Sequence, residues 1–253
     1  GCKFNMFGGE ITGLDPSENS APYPAAVFNR GTFNLCGGKI TGNKSHAVYN
    51  ENATMNLYGG EISGNDTTYT DASAGAAVVL VSGSTLNMSG GTIKDNISNT
   101  LGGGVYAKGI QSRSSTLNFS GGEISGNRVN STNDDLGFDG GGGVYVDLYA
   151  TLDLSGTARI SGNYACAVDY KESATFGGGF GGGVYVAGTF NMRGGEICDN
   201  FAGLANYKNK YGNDDRRGGD GGGVYLYSKS DFSMSGGSIQ DNTVDDRGGG
   251  VFV

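Results

Sequence analysis

Residues 116–127 read Thr-Leu-Asn-Phe-Ser-Gly-Gly-Glu-Ile-Ser-Gly-Asn, and this stretch decides the fold because the chain repeats it. Repetition of a short unit is typical of stacked architectures, in which each copy packs mainly on its neighbours. Aligned on the isoleucine, the motif recurs at Ile11, Ile40, Ile62, Ile93, Ile124, Ile160, Ile197 and Ile239.

A second motif lies between the copies. It reads Gly-Gly-Gly-Val-Tyr at residues 102–106 and returns at residues 141–145, 181–185 and 221–225. Each unit therefore carries three short segments: first Val-Tyr-Val, second Leu-Asn-Phe or Phe-Asn-Met, and third Glu-Ile-Ser. Apolar and polar residues alternate in these segments, which is a strand pattern. No window has apolar residues at helical spacing over two turns. The sequence predicts an all-β chain.

Alignment of the units predicts four apolar columns along the stack. Equivalent residues of adjacent strands lie about 4.8 Å apart, so a column of apolar side chains can bury what one short strand cannot. The first column is Phe4, Phe33, Met55, Leu86, Leu117, Leu152, Phe190 and Phe232, and the second is Met6, Leu35, Leu57, Met88, Phe119, Leu154, Met192 and Met234. The isoleucines form the third, and the fourth is Val27, Val48, Val78, Val105, Val144, Val184, Val224 and Val251.

These motifs resemble the right-handed parallel β-helix repeats of the pectin-lyase-like superfamily, particularly those of bacterial surface proteins. Residues 27–29 (Val-Phe-Asn) and 48–50 (Val-Tyr-Asn) match the Ile-Tyr-Asn version of that repeat. The resemblance covers nearly the whole chain. It implies one β-helix domain over residues 1–253, a right-handed solenoid of about eight rungs with three short strands each. It also implies a secreted or cell-surface protein that acts as an adhesin or structural stalk, with glycans or surface proteins as partners.

Composition and charge narrow the function classes. Glycine makes up 50 of the 253 residues, but it lacks the triplet period of collagen, and the 36% of hydrophobic residues can bury a core. The net charge of −8 disfavours nucleic acid and anionic membranes as direct partners. No apolar run is long enough to span a bilayer. The chain begins inside a unit and stops at a strand end, which predicts a piece of a longer protein continued by further rungs.

An asparagine follows the third segment of nearly every unit. An amide at a turn can bond the local backbone and the same amide one unit away, so we expect a structural ladder rather than a ligand site. The ladder residues are Asn43, Asn65, Asn96, Asn127, Asn163, Asn200 and Asn242.

The tyrosines of the second motif form a candidate ligand-binding column: Tyr106, Tyr145, Tyr185 and Tyr225. If the neighbouring valines face inward, these rings stack on the outside, where aromatic faces could bind sugar rings. Stacking of the rings on one another is the alternative and needs no ligand. If the valines instead face outward, the rings are core residues.

Long loops after the asparagines carry acidic pairs. Asp214, Asp215 and Asp220 offer the hard oxygen ligands that Ca²⁺ prefers, so a Ca²⁺ site is one hypothesis and solvated loop charge is the other. No other cofactor is predicted. Of the four cysteines, Cys166 and Cys198 lie one unit apart, which leaves a disulfide open.

Two further functions stay open. A polysaccharide lyase or glycoside hydrolase would fit the superfamily, although hydrolysis needs two carboxyl groups about 5–9.5 Å apart and no such pair is evident on the strand faces. The outward Thr-x-Asn positions of the second segment form a grid similar to the threonine arrays of ice-binding β-helices.

Along the third segment, outward acids alternate with bases or neutral residues, which predicts ion pairs between neighbouring strands.

Overall fold

A computed structural model describes residues 1–16, 23–69, 75–131, 140–167, 179–204 and 219–253 of the chain. Nearly all regular structure in these ranges is β, and the one helical element with described bounds is a 3-10 turn at Thr67–Tyr69. The prediction of an all-β chain is confirmed.

The strands are short, and most hold three to five residues. In chain order the first fourteen are β1 (Lys3–Met6), β2 (Glu10–Thr12), β3 (Ala25–Asn29), β4 (Thr32–Leu35), β5 (Lys39–Thr41), β6 (His46–Glu51), β7 (Thr54–Leu57), β8 (Glu61–Ser63), β9 (Val78–Val81), β10 (Thr85–Met88), β11 (Thr92–Lys94), β12 (Ile97–Ser98), β13 (Val105–Lys108) and β14 (Ser115–Phe119). The others are β15 (Glu123–Ser125), β16 (Arg128–Ser131), β17 (Val144–Val146), β18 (Ala150–Leu154), β19 (Arg159–Ser161), β20 (Tyr164–Ala167), β21 (Val184–Val186), β22 (Thr189–Cys198), β23 (Phe201–Leu204), β24 (Val224–Leu226), β25 (Asp231–Gln240), β26 (Thr243–Val244) and β27 (Val251–Phe252).

These strands form three parallel sheets. The largest has fourteen strands, in the order β1-β4-β7-β10-β14-β18-β22-β19-β15-β11-β8-β5-β2, with β25 paired to β22. An eight-stranded sheet runs β27-β24-β21-β17-β13-β9-β6-β3, and a five-stranded sheet runs β12-β16-β20-β23-β26. Each strand pairs with its equivalent in the next repeat, a topology consistent with a parallel β-helix.

The register of the strands confirms the predicted columns. Phe33 pairs with Met55, Leu86 with Leu117, and each predicted column continues in the same way along its sheet. The isoleucines pair with one another, and so do the valines. Register is fixed because a slip of one residue would turn every buried side chain to the outer face.

The valines face inward. Val78, Val105, Val144 and Val184 are fully buried and pack in one cluster with the aliphatic and phenylalanine columns of the large sheet. The tyrosines that alternate with them therefore lie on the opposite face of the eight-stranded sheet, where they form a second, smaller buried cluster.

Two features differ from the expected three short strands in each repeat. In the later repeats, a further parallel sheet forms from the segments directly after the ladder asparagines, as in Arg128–Ser131 and Tyr164–Ala167. The sequence predicts these segments to be loops. In addition, Thr189–Cys198 and Asp231–Gln240 each run as one ten-residue strand where two separate strands were expected. Register shifts near Arg193 let these strands turn while they remain paired.

The triple glycines make room for the extra sheet. A Cβ on Gly142 would lie 2.5 Å from the Tyr164 backbone, and a Cβ on Gly103 would lie 2.7 Å from the Arg128 backbone nitrogen. At the equivalent position the earlier repeats carry Ala25, His46 and Ala76 instead. Glycine is thus required where the extra strands pack against the second motif.

Candidate functional site

The tyrosine stack (Tyr106, Tyr145, Tyr185 and Tyr225) runs along the outer face of the eight-stranded sheet. Ring centroids lie 5.7 Å apart between Tyr106 and Tyr145, 4.3 Å between Tyr145 and Tyr185, and 5.1 Å between Tyr185 and Tyr225. Phe252 continues the stack 5.3 Å beyond Tyr225. The rings therefore contact one another, as the ligand-free alternative requires.

The stack is covered. Tyr106, Tyr145 and Tyr185 are 4%, 6% and 1% exposed, and Leu101 and Phe180 pack against the cluster. Burial is the main cause of the raised pKa of Tyr185 and Tyr106. A sugar ring would find almost no free ring face on these three residues in this conformation. Their role in ligand binding stays a prediction.

The Tyr106 hydroxyl is hydrogen-bonded to a charged pair at the edge of the stack. Tyr106 Oη donates to Asp147 Oδ2 at 2.6 Å, and Lys108 Nζ lies 3.2 Å from the same oxygen. The Asp147 carboxylate therefore satisfies a buried hydroxyl and an exposed cation together, which fixes the position of the ring.

Asp220 is the one predicted metal ligand among the described residues. It is 6% exposed, and its carboxylate accepts from Arg247 Nε at 3.2 Å and Nη2 at 3.1 Å. Burial raises the pKa of Asp220, and the Arg247 guanidinium acts against that rise. Asp214 and Asp215 lie outside the described residues. Within the described part of the chain, no three His, Cys, Asp or Glu side chains come together to hold a metal ion.

The predicted asparagine ladder is present. From Asn43 to Asn200, each Nδ2 donates to Oδ1 of the next ladder asparagine at 2.8–3.0 Å. Each Oδ1 from Asn65 to Asn242 also accepts the backbone N–H of the preceding ladder residue. The amides from Asn43 to Asn200 are at most 1% exposed. These amides satisfy one another's hydrogen bonds, so the ladder asparagines stabilise the fold.

A second amide ladder lies on the outer face of the large sheet. Asn34, Asn56, Asn87 and Asn118 each donate to the amide oxygen of the preceding repeat at 2.6–2.8 Å, starting from Asn5. Beside it run Thr32, Thr54, Thr85, Thr116, Thr151 and Thr189, which are half-buried and pair in register. Their hydroxyls make no hydrogen bond to another described residue.

The outward charges of the third segment pair as predicted. Glu61 lies between Lys39 at 3.9 Å and Lys94 at 3.3 Å, and a hydrogen bond from Ser63 is the main cause of its lowered pKa. Arg159 lies between Glu123 at 3.8 Å and Glu196 at 3.1 Å. The lowered pKa of Glu61 is the opposite of the raised pKa that the acid in glycoside hydrolysis needs.

Sequence reasoning missed a cleft at the turns after the first strand of four successive repeats. Its volume is about 610 Å³, and it is lined by Arg30, Glu51, Asn52, Ser82, Ile110, Ser112 and Arg113. The available signal was the inserted segment between β13 and β14, which is longer than the equivalent turns of the two preceding repeats.

Comparison with known proteins gave no match to any family model, curated protein or solved structure. In the described residues, no helix is long and apolar enough to cross a membrane. All four cysteines are free, so the open question of a bridge between Cys166 and Cys198 is answered against the disulfide.

Proposed function

We propose that this protein is a non-catalytic β-helix of the pectin-lyase-like type, secreted or attached to a bacterial cell surface, that acts as an adhesin or structural stalk. In this proposal the chain is a right-handed solenoid of about eight rungs. At about 4.8 Å per rung it forms a rod roughly 40 Å long.

The observation that carries the proposal is the continuous asparagine ladder from Asn43 to Asn242, which is buried as far as Asn200. Each amide is bonded to the next repeat, and the apolar columns beside it are equally continuous. A repeat cannot bend away from its neighbour without breaking buried hydrogen bonds, each of which is costly to leave unmade. Such a chain suits a rigid spacer or presentation platform.

The ionic environment supports a non-catalytic role. On the third segment, Glu61, Glu123 and Glu196 each lie within 4 Å of a lysine or arginine nitrogen, and Asp220 is bonded to Arg247. The competing hypothesis, a polysaccharide lyase or glycoside hydrolase, would need its acid and base elsewhere, for example at Asp214 and Asp215. Host or environmental glycans and surface proteins are the partners we propose.

The test is a glycan array probed with the purified protein, with and without Ca²⁺, beside an assay for released sugar ends. Binding without cleavage would support the adhesin, and neither binding nor cleavage would support the stalk. Release of sugar ends from any polysaccharide would overturn the non-catalytic proposal. Asp220→Asn is the matched variant for Ca²⁺, because a metal at this residue would make binding sensitive to both the substitution and a chelator.

Ice binding is a second candidate, favoured by the threonine column. Six threonine hydroxyls in register leave their hydrogen-bonding capacity unused among the described residues, on a face whose amides are already bonded to one another. Inhibition of ice recrystallisation, abolished by Thr85→Lys but not by Lys94→Gln on the third segment, would support it. Equal inhibition by both variants, or none by the parent protein, would remove this candidate.

A further inference from the structure

Seven stretches of the chain read Asn-x-Ser or Asn-x-Thr, the pattern that N-glycosylation enzymes recognise. Their asparagines are Asn43, Asn52, Asn65, Asn87, Asn96, Asn118 and Asn130. These enzymes attach a bulky sugar to the side-chain nitrogen, so the asparagine that accepts it needs a free amide at the surface of the protein. The structure distinguishes among the seven.

Three of these asparagines belong to the buried ladder. Asn43, Asn65 and Asn96 are at most 1% exposed, and each Nδ2 donates to Oδ1 of the next ladder amide. A sugar on any of these nitrogens would occupy close-packed space and would break a buried hydrogen bond. The folded protein therefore has no room for a glycan at the ladder.

Three others lie in strands that are paired on both sides. Asn87 and Asn118 lie in β10 and β14 of the large sheet, and Asn130 lies in β16. Asn87 Nδ2 donates to Asn56 Oδ1, and Asn118 Nδ2 donates to Asn87 Oδ1, both at 2.8 Å. A strand residue of this kind cannot enter the active site of an enzyme without leaving its sheet.

Asn52 differs from the other six. It lies in the turn between β6 and β7, where it is exposed, and its side-chain amide forms no hydrogen bond with another described residue. Its φ of +50° is in the left-handed region, which asparagine adopts more readily than most residues. Asn52 N–H donates to the Val81 carbonyl at 3.2 Å, so the backbone of the turn is held while the amide stays free.

The hydroxyl of the same stretch is also free. Thr54 begins β7 and is half-buried, and its Oγ1 forms no hydrogen bond with another described residue. Its N–H donates to the Gly31 carbonyl at 2.9 Å, and its carbonyl accepts from Asn29 Nδ2 at 3.0 Å. The backbone of Thr54 is thus fixed, and the hydroxyl that the recognition pattern requires remains available.

There is also room for a sugar beside Asn52. The side chain lines the cleft of about 610 Å³ at the turns after the first strand. Clefts of roughly 300–1,000 Å³ accommodate small molecules, so the first sugar of a glycan fits there, and further sugars would extend into solvent.

We propose that Asn52 is a site of N-linked glycosylation. The donor is an oligosaccharide joined through a diphosphate to a lipid. The bond from its sugar C1 to the diphosphate breaks, a bond from C1 to Asn52 Nδ2 forms, and Nδ2 loses one proton as the lipid diphosphate leaves. The modification rests on the secreted or surface location in the proposed function, because lipid-linked donors are used at a membrane during export.

The test incubates the folded, full chain with a single-subunit oligosaccharyltransferase that requires only Asn-x-Ser/Thr, together with its lipid-linked donor. Peptide mass mapping is expected to find one glycan for each chain, at Asn52. Asn52→Asp removes the nitrogen and Thr54→Val removes the hydroxyl, so each should abolish the modification. Thr85→Val is the matched control, because Thr85 pairs in register with Thr54 but follows Gly83 rather than an asparagine at the acceptor position.

Short synthetic peptides that carry the seven sequences show what the enzyme accepts without the fold, and we expect it to modify several of them. An unmodified Asn52 in the folded chain, beside a modified Asn52 peptide, would overturn the proposal. So would equal modification of Asn65 and Asn52 in the folded chain, or a glycan that persists in Thr54→Val. Because enzyme and donor are supplied, the result does not depend on where the protein resides, so this proposal and the proposed function fail separately.

Discussion

Asn127 Nδ2 donates to Asn163 Oδ1 at 3.0 Å, and both side chains are fully buried. The same Asn127 amide donates to the Ile93 carbonyl at 2.9 Å, while its oxygen accepts from the backbone and side chain of Asn96 at 3.1 and 2.8 Å. One amide thus joins three consecutive ladder asparagines and the neighbouring strand β11. This explains why a polar residue is tolerated at the centre of the stack.

Asn127→Ala should therefore be strongly destabilising. It leaves several buried donors and acceptors without partners, at about 1–3 kcal/mol each, so we expect the free energy of unfolding to fall by about 3 kcal/mol or more. Asn118→Ala is the matched control because Asn118 is exposed and donates one such bond, to Asn87. Urea denaturation measures both variants. Equal losses would contradict the structural role assigned to the buried ladder.

Gly142→Ala should displace the extra sheet. The new methyl group would lie 2.5 Å from the Tyr164 backbone and 2.5 Å from the Gly182 carbonyl oxygen of the next repeat. Backbone atoms cannot rotate away, so we expect a loss of about 2 kcal/mol. Hydrogen exchange should accelerate in Tyr164–Ala167 before the large sheet is affected.

Gly162→Ala is its control. Gly162 has a φ of +59° and open space around its Cβ position, so only the backbone conformation is penalised, by about 1 kcal/mol. Faster exchange of Tyr164–Ala167 in both variants alike would argue against the steric explanation.

His46 should make the protein acid-sensitive. Its imidazole is fully buried, Nδ1 lies 2.8 Å from the Ala76 carbonyl oxygen, and Nε2 has no described partner. Burial is the main cause of its lowered pKa. Well above pH 6.5, the ordinary pKa of histidine, the ring is neutral in both states. Below that pH the unfolded chain takes up a proton that the folded chain resists, so stability falls by up to about 1.4 kcal/mol per pH unit.

His46→Ala tests this assignment, because the flanking repeats carry Ala25 and Ala76 at the same position. Urea midpoints of the parent and the variant, measured from pH 7.5 to 5.5, should converge as the parent loses stability. Parallel pH profiles would mean that groups other than His46 cause the loss of stability at acid pH.

Exposed and buried cysteines should differ in the reactivity of their thiols. Cys166 and Cys198 are 2% and 1% exposed, and burial is the main cause that raises the pKa of each thiol to about 11. Cys2 is exposed. A thiol reagent at pH 8 should label Cys2 within seconds and spare Cys166 and Cys198 until urea is added. Peptide mapping identifies the sites, and rapid labelling of Cys166 in the native protein would contradict the described packing.

Much of the fold was predictable because the repeats align without ambiguity. Once Phe33, Met55 and Leu86 share a column, parallel pairing follows, and so does the alternation of Glu61 with Lys39. The further sheet was missed for a physical reason. Its segments, such as Arg128–Ser131 and Phe201–Leu204, have little in common as sequences, and their pairing rests on backbone hydrogen bonds that any side chain permits.

The candidate site was less predictable than the fold. Val105 and Tyr106 are both apolar enough for a core, so alternation alone leaves open which of them faces inward. The cleft depends on Arg30 and Arg113, which are 83 positions apart in sequence (113 − 30). No motif joins such residues, because stacking alone brings them together.

The sequence by itself determined the parallel order of the strands, their register, and the apolar columns and asparagine ladder. Each of these is a consequence of repeating a period-two pattern along the chain. The tertiary structure decided the direction of the valines, the burial of the tyrosine stack, the extra sheet and the cleft. Those features depend on how the irregular segments between repeats pack against the regular ones. Such packing follows shape and space at each position, and a repeat pattern does not encode it.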